Sequence, residues 1–349
     1  MLPTALNGDR APRLWHRIAG YGAISRHFSC LRGSSGLIDR LSIVGEDGRA
    51  GSAPPGGTVP ATPQVPSSEQ LGDRLADRDV LRRLSAEPLV GLGAGRALLM
   101  QLAHPDVARG VAEHSDFADR PLARLFGTLD FLLIVTFGTP EQVGRVAAKV
   151  RGIHGTVRGD GYSGNDPDLQ LWVNATLIDS ALHIHESVML HGGRGGRDDR
   201  GLAEEYYRQA RAVAEVLGCP LESQPADLAA FRAYMADMLA SLEVTDTARE
   251  VADAVLWPRR LRALSPALAV FRLLTAALLP GTLRDQYGLP WTDNRRRTAT
   301  LMLRTAGGVH RVTPGFLRRP PEAFLVRLAA YRVDRTLKAR RTRRRSPVP

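Results

Sequence analysis

The chain has 349 residues, 44% hydrophobic and 24% charged, which is ordinary for a globular protein and allows one large domain or two small ones. Two cysteines, Cys30 and Cys219, are too few for a disulfide framework or a zinc site of their own, and there is no C-x-x-C-H run. The net charge of +11 is concentrated at the end: seven Arg and one Lys against Asp334, between Arg332 and Arg345, carry +7 and leave +4 elsewhere. A basic tail of this kind fits solvent or a membrane surface, and no aromatic platform or recognition motif supports nucleic-acid binding.

Met1 to Arg49 holds scattered apolar residues without a sustained period, and Arg and His interrupt every run that would serve as a signal-peptide core. The expected location is therefore cytoplasmic, with the basic tail a candidate for peripheral membrane contact. Gly51 to Pro66, GSAPPGGTVPATPQVP, has the composition of a linker, so residues 1–66 form an extension and the folded domain starts at 67. We expect that domain to span 67–318, followed by a C-terminal helix and basic tail over 319–349.

Past the linker the pattern is helical almost throughout. Leu71 to Ala86 reads as a charged surface helix, and Leu89 to Ala103 as a buried one with glycines at close contacts. His104-Pro105 breaks the pattern, because a residue before proline is pushed out of the helical region. Asp106 to His114 is a short helix, and Pro121 to Phe137 a longer one stopped by Gly138. Thr139, Pro140 and Gln142 carry the cap, first-position proline and capping box of the next helix.

In that helix Val143, Ala147, Val150, His154 and Val157 recur at steps of four and three, which directs His154 inward with the valines. Asp166 and Pro167 open a long helix through Leu190. Leu202 to Leu217 and Pro225 to Leu242 follow as amphipathic helices. Leu264 to Leu279 is strongly apolar but shorter than the roughly 20 residues of a spanning helix. Strand alternation is absent, so the fold class is all-α.

An imidazole in an apolar wall needs partners for its ring nitrogens. For His154 these are hydrogen bonds in a core, or a metal or haem iron on one nitrogen, with Gly152 and Gly155 leaving room for something flat. Arg124 and Thr128 share a helix face with Phe131 and Val135, as a buried ion pair or as groups aimed at a site. His104 and His114 read as caps. His183-x-His185-Glu186 is a poor chelate, since residues two apart on a helix diverge. Neither a nucleophile elbow nor H-E-x-x-H is present.

Six motifs occur in order: G-x-G-R-A-L-L-M-Q-L-A-H-P (Gly93 to Pro105), A-E-H-S-D-F (Ala112 to Phe117), R-x-x-x-T-L-D-F-L-L (Arg124 to Leu133), F-G-T-P-E (Phe137 to Glu141), R-G-I-H-G-T-V-R-G (Arg151 to Gly159) and D-P-D-L-Q-L-W-V-N-A-T-L-I-D-S (Asp166 to Ser180). With Y-G-L-P-W (Tyr287 to Trp291), they resemble the catalytic domain of the MpaB-type oxygenases and the latex-clearing protein, a bacterial rubber oxygenase. The resemblance covers about Ser68 to Arg318.

It implies a single helical domain, globin-like, around a non-covalent haem b, with His154 at the position of the iron ligand. Arg124 and Thr128 match the ends of a distal Arg-x-x-Lys-Thr motif, but Gly127 stands in place of its lysine. Asn174 stands where similar proteins carry histidine, and no glutamate matches the family's base. Arg158, one turn past His154, is a candidate for a haem propionate or for solvent. The expected function is a haem-dependent oxygenase using dioxygen on an apolar, unsaturated, isoprenoid- or lipid-like substrate. The competing reading is a non-catalytic helical module that binds an apolar ligand or a membrane surface.

Overall fold

Side-chain caps written into the sequence set several of the helix starts, at Thr139, Asp166, Asp227, Thr245 and Thr292. The computed structural model describes residues 70–333 apart from 72, 74, 115–120, 191–196 and 323. The expectations for residues 1–66 and for the tail beyond 333 lie outside the described residues. The first elements are α1 (Asp79–Ser85), a 3-10 turn (Pro88–Gly93), α2 (Ala94–Ala103), α3 (Pro105–His114), α4 (Pro121–Phe137) and α5 (Pro140–His154). His104 is extended, with φ −76° and ψ 123°, which separates α2 from α3 as its proline neighbour demands. Thr139 caps α5 with the full capping box to Gln142.

A two-residue antiparallel ribbon follows, β1 (Arg158–Gly159) and β2 (Tyr162–Ser163), then α6 (Pro167–Ile184), capped by Asp166. α6 runs without a break into a π turn (His185–Met189). The remainder comprises α7 (Arg197–Leu217), α8 (Leu228–Ser241), α9 (Asp246–Leu256), a 3-10 turn (Arg259–Leu264), α10 (Ser265–Leu278), α11 (Gly281–Gln286), α12 (Asp293–Val312) and α13 (Gly315–Arg318). Residues 322 and 324–333 form a final helix, α14. Among the described residues the two short strands are the only sheet, so the fold is all-α.

α6 is the central post. It packs against α2, the first 3-10 turn and α7; α2 in turn meets α3, α9 and α10, while α7 meets α1, α5 and α8. Trp172 and Ile184 of α6, with Leu99, Met100 and Leu102 of α2, are buried at the centre. Glycines permit this close approach. A Cβ on Gly93 would meet the Ser180 carbonyl at 3.2 Å, and one on Gly95 would lie 2.0 Å from Thr275 Oγ1 of α10.

One expectation is corrected. Leu71 to Ala86 is not a single charged surface helix: residues 70, 71 and 73 are helical, 75–78 break the helix before α1 begins at Asp79, and Leu71, Leu75, Leu81 and Leu84 are all buried. The reason is Arg78, whose buried guanidinium donates to the carbonyls of Leu75, Val135 and Gly138. Arg82 adds a bond to the Thr136 carbonyl at 3.2 Å. Two arginines thus satisfy the carbonyls left open where α4 ends, which also suits the helix dipole. A charged run therefore faces inward.

Candidate functional site

α4 and α5 form an antiparallel hairpin joined through Gly138 and Thr139, and this hairpin carries the candidate residues. Asp130 on α4 feels the charge of Lys149 on the neighbouring α5. Moving away from the turn at about 1.5 Å per residue, Thr128 comes level with the turn around Arg151, and Arg124 with His154. The structure thus brings the backbones of Arg124, Thr128 and His154 to the same open end of the hairpin. The Arg124 side chain itself lies outside the described residues.

The inner stripe of α5 is deep at first and shallow at its end. Val143 and Ala147 are buried, whereas Val150 and His154 are half-buried. His154 is thus not a deep core residue, and the helix stops there, so Val157 is not part of the stripe. The imidazole Nδ1 is nonetheless shielded from solvent. Gly152 faces open space, since a Cβ there would meet nothing within 4 Å. Gly155 does not, because Asn165 Nδ2 packs beside it and donates to the Arg151 carbonyl at 3.3 Å. Only one of the two glycines leaves room.

The ribbon after His154 locks this helix end in place. Gly161, with φ of +78°, makes the turn, and the Tyr162 ring lies over Gly159, where a Cβ would approach to 2.2 Å. Gly164 rests on the His154 carbonyl. Tyr162 donates its hydroxyl to Glu113 Oε2 at 2.6 Å, and Arg109 stacks on the ring at 4.9 Å. Burial and the Glu113 carboxylate push the Tyr162 hydroxyl up to about 12, so it stays a donor. His114 Nε2 donates to the Arg158 carbonyl at 3.0 Å. The Arg158 side chain is exposed, on β1 rather than on the helix of His154.

The stretch of α4 just before Asp130 is exposed. Phe126, Gly127, Thr128 and Leu129 are all exposed in succession, although α4 is among the most apolar helices of the chain. A Cβ on Gly127 would meet nothing within 4 Å. Further along, Phe131, Ile134 and Val135 are buried normally. Phe126 and Leu129, separated by Gly127 and Thr128, are the exposed apolar side chains of this stretch. Among the described residues no three His, Cys, Asp or Glu side chains converge on a metal position. His154, with Nδ1 shielded from solvent and open space beside Gly152, is of the residue type that can hold a haem iron.

Composition and motif left one feature unread. Asp130, the lone carboxylate in the apolar run of α4, is buried and takes two bonds from Arg332 Nε at 2.8 and 3.1 Å. Burial outweighs the arginine and raises its carboxyl above the ordinary range. Arg332 also lies over the Phe126 ring at 5.3 Å, so α14 is tied down beside the exposed stretch of α4. The signal available was an unpaired acid among LLIVF neighbours. The other motif residues are structural: Tyr287 donates to the Leu99 carbonyl at 2.7 Å, and Asn174 is buried in α6. Burial lowers the pKa of both His104 and His183; Arg96 adds to the effect at His183.

A family model described as "ER-bound oxygenase mpaB/B'/Rubber oxygenase, catalytic domain" matches residues 81–311, about two thirds of the chain. The chain belongs to this family. The mpaB/rubber oxygenase match begins within α1 and ends within α12, so it contains the whole α4–α5 hairpin and the ribbon. Relatives include an uncharacterized protein of Mycobacterium bovis and one of Mycobacterium tuberculosis. Each is 27% identical over 260 residues, covering 71% of this chain and 96% of the relative. No solved structure matches the chain. The mpaB/rubber oxygenase family supports an oxygenase catalytic domain, and with it oxidoreductase chemistry that uses a substrate and dioxygen.

Proposed function

We propose that this oxygenase domain is haem b-dependent and acts with dioxygen on an apolar, unsaturated, isoprenoid- or lipid-like substrate. The reading rests on half-buried His154 at the end of α5, with Phe126 and Leu129 exposed on the neighbouring helix α4. His154 would hold the iron through a ring nitrogen, with the Gly152 backbone leaving the macrocycle room to approach. The chemistry such a group supplies when bound is activation of dioxygen toward an electron-rich double bond. A globin-like arrangement around the group belongs to the same proposal.

The chain's own residues then have separate tasks. The ribbon, through Gly164 on the His154 carbonyl and Tyr162 on Glu113, fixes the end of α5 and therefore the height of the imidazole. Thr128 and Arg124, from α4, would donate hydrogen bonds to oxygen atoms that gain negative charge. Arg158, exposed on β1, suits a propionate at the rim. Gly127 contributes no side chain where the resembling motif carries lysine, so that side stays open to substrate. Phe126 and Leu129 supply apolar contact and keep water from the reacting double bond.

Oxygen uptake provides the test. With the haemin-loaded protein, an unsaturated isoprenoid such as squalene should stimulate oxygen consumption, and its saturated analogue squalane should not. Equal uptake with both, or none with either across a panel of unsaturated lipids, would count against the substrate class. The non-catalytic alternative predicts no uptake with any substrate.

A further inference from the structure

The segment from α12 to α13 combines two features that soluble surfaces rarely combine. Between Asp293 and Glu322 the chain has seven arginines and no acidic residue. Over the same stretch Leu301, Val309, Val312, Phe316 and Leu317 are exposed, with Val312 and Phe316 each at 81%. Along α12, Arg297, Arg304 and Arg311 recur every seven residues, and Leu301 and Val312 fall on that same face. A recess of about 370 Å³ runs beside Arg296, Arg297, Thr300, Leu301 and Arg304.

The exposed side chains sit on a pinned turn. Arg318 donates to the His310 carbonyl at 2.6 Å, while His310 Nε2 and Arg319 Nε donate to buried Glu87 at 2.9 and 2.6 Å. Phe316 and Leu317 are therefore held outward on an anchored short helix, α13. We infer that this face docks on an anionic phospholipid surface, with Val312, Phe316 and Leu317 entering the headgroup boundary and the arginines of α12 meeting lipid phosphates.

Charge decides among the occupants. A second copy would bring the same basic face against itself, and like charges oppose such pairing. Nucleic acid would use the arginines but has no use for Val312, Leu317 and Leu301. Among the described residues no helix is long and apolar enough to cross a membrane, so the contact is peripheral. The inference stands apart from the cofactor reading and is tested without it.

The test is flotation of the full chain with vesicles of phosphatidylcholine alone or mixed with phosphatidylglycerol. Wild type should float with the mixed vesicles and be released by salt. F316S/L317S should weaken partitioning by about tenfold or more, and R297E should weaken it at low salt, with melting temperatures unchanged. A chain with Arg340, Arg341, Arg343, Arg344 and Arg345 changed to Gln should still float better than F316S/L317S. Three results would overturn the inference: no preference for anionic vesicles, F316S/L317S binding as wild type, or a wild-type dimer that F316S/L317S converts to monomer.

Discussion

Arg332 of the last described helix forks onto both carboxylate oxygens of Asp130 in the middle of α4, and its guanidinium covers the Phe126 ring beside them. A residue 202 positions away thus neutralises the one acid in the apolar run that faces the candidate site. Removing Arg332 leaves Asp130 buried without its counterion. R332A should cost about 2 kcal/mol, below the roughly 3–5 kcal/mol for breaking a fully buried pair, because the arginine is partly exposed. D130N should cost less, since it removes the charge that burial disfavours, and R332A/D130N should recover part of the loss. Thermal melts of the three variants decide this; a D130N loss larger than that of R332A would contradict it.

Two adjacent glycines on α12 should respond in opposite directions. A Cβ on Gly307 would come within 2.3 Å of the Val188 carbonyl in the π turn, and backbone cannot move aside easily. Gly308 faces open space. G307A should therefore destabilise by about 2 kcal/mol through overpacking. G308A should stabilise by up to about 1 kcal/mol, the helix-propensity gain of alanine. Equal effects in chemical denaturation would mean that α12 does not rest on the π turn.

Glu87 predicts how stability responds to acid. Burial alone would raise its carboxyl, but hydrogen bonds from Arg319 and His310 and the charges of Arg319 and Arg318 together hold it below the ordinary 4.5. A carboxylate lowered in the folded state stabilises above its unfolded value, and that stability is lost as pH falls through the folded value. Wild type should exceed E87Q by about 2 kcal/mol near neutrality, a margin that shrinks below pH 4.5. Melting curves of both proteins from pH 7 to about 3 would show it. A margin that widened in acid would reverse the assignment.

Local chemistry was legible in the sequence, and tertiary pairing was not. Thr139-Pro140 with Gln142, Asp166-Pro167 and His104-Pro105 act through neighbours within four residues, and each has the structure its residues require. Arg78 was unreadable because its partners, Val135 and Gly138, are 57 and 60 positions away, so a buried guanidinium looked like a surface charge. Asp130 and Arg332 failed to pair in the reading for the same reason. The π turn at His185–Met189 lies against Gly307, a contact 119 positions away from Val188 that no period reveals. At the site, helical spacing put His154 on the right stripe. It did not show that the stripe surfaces toward its end, or that Gly155 is filled by Asn165 while Gly152 is open.

The central claim is that His154 holds a haem iron, and an absorption spectrum of the purified chain tests it most directly, with pyridine-haemochrome quantification and carbon monoxide added after reduction. Wild type should show a Soret band with near-stoichiometric haem b that shifts with carbon monoxide. H154A, with its helical circular dichroism intact, should lose the haem. A wild-type protein that takes up no haemin, or an H154A variant that keeps it in full, would contradict the account.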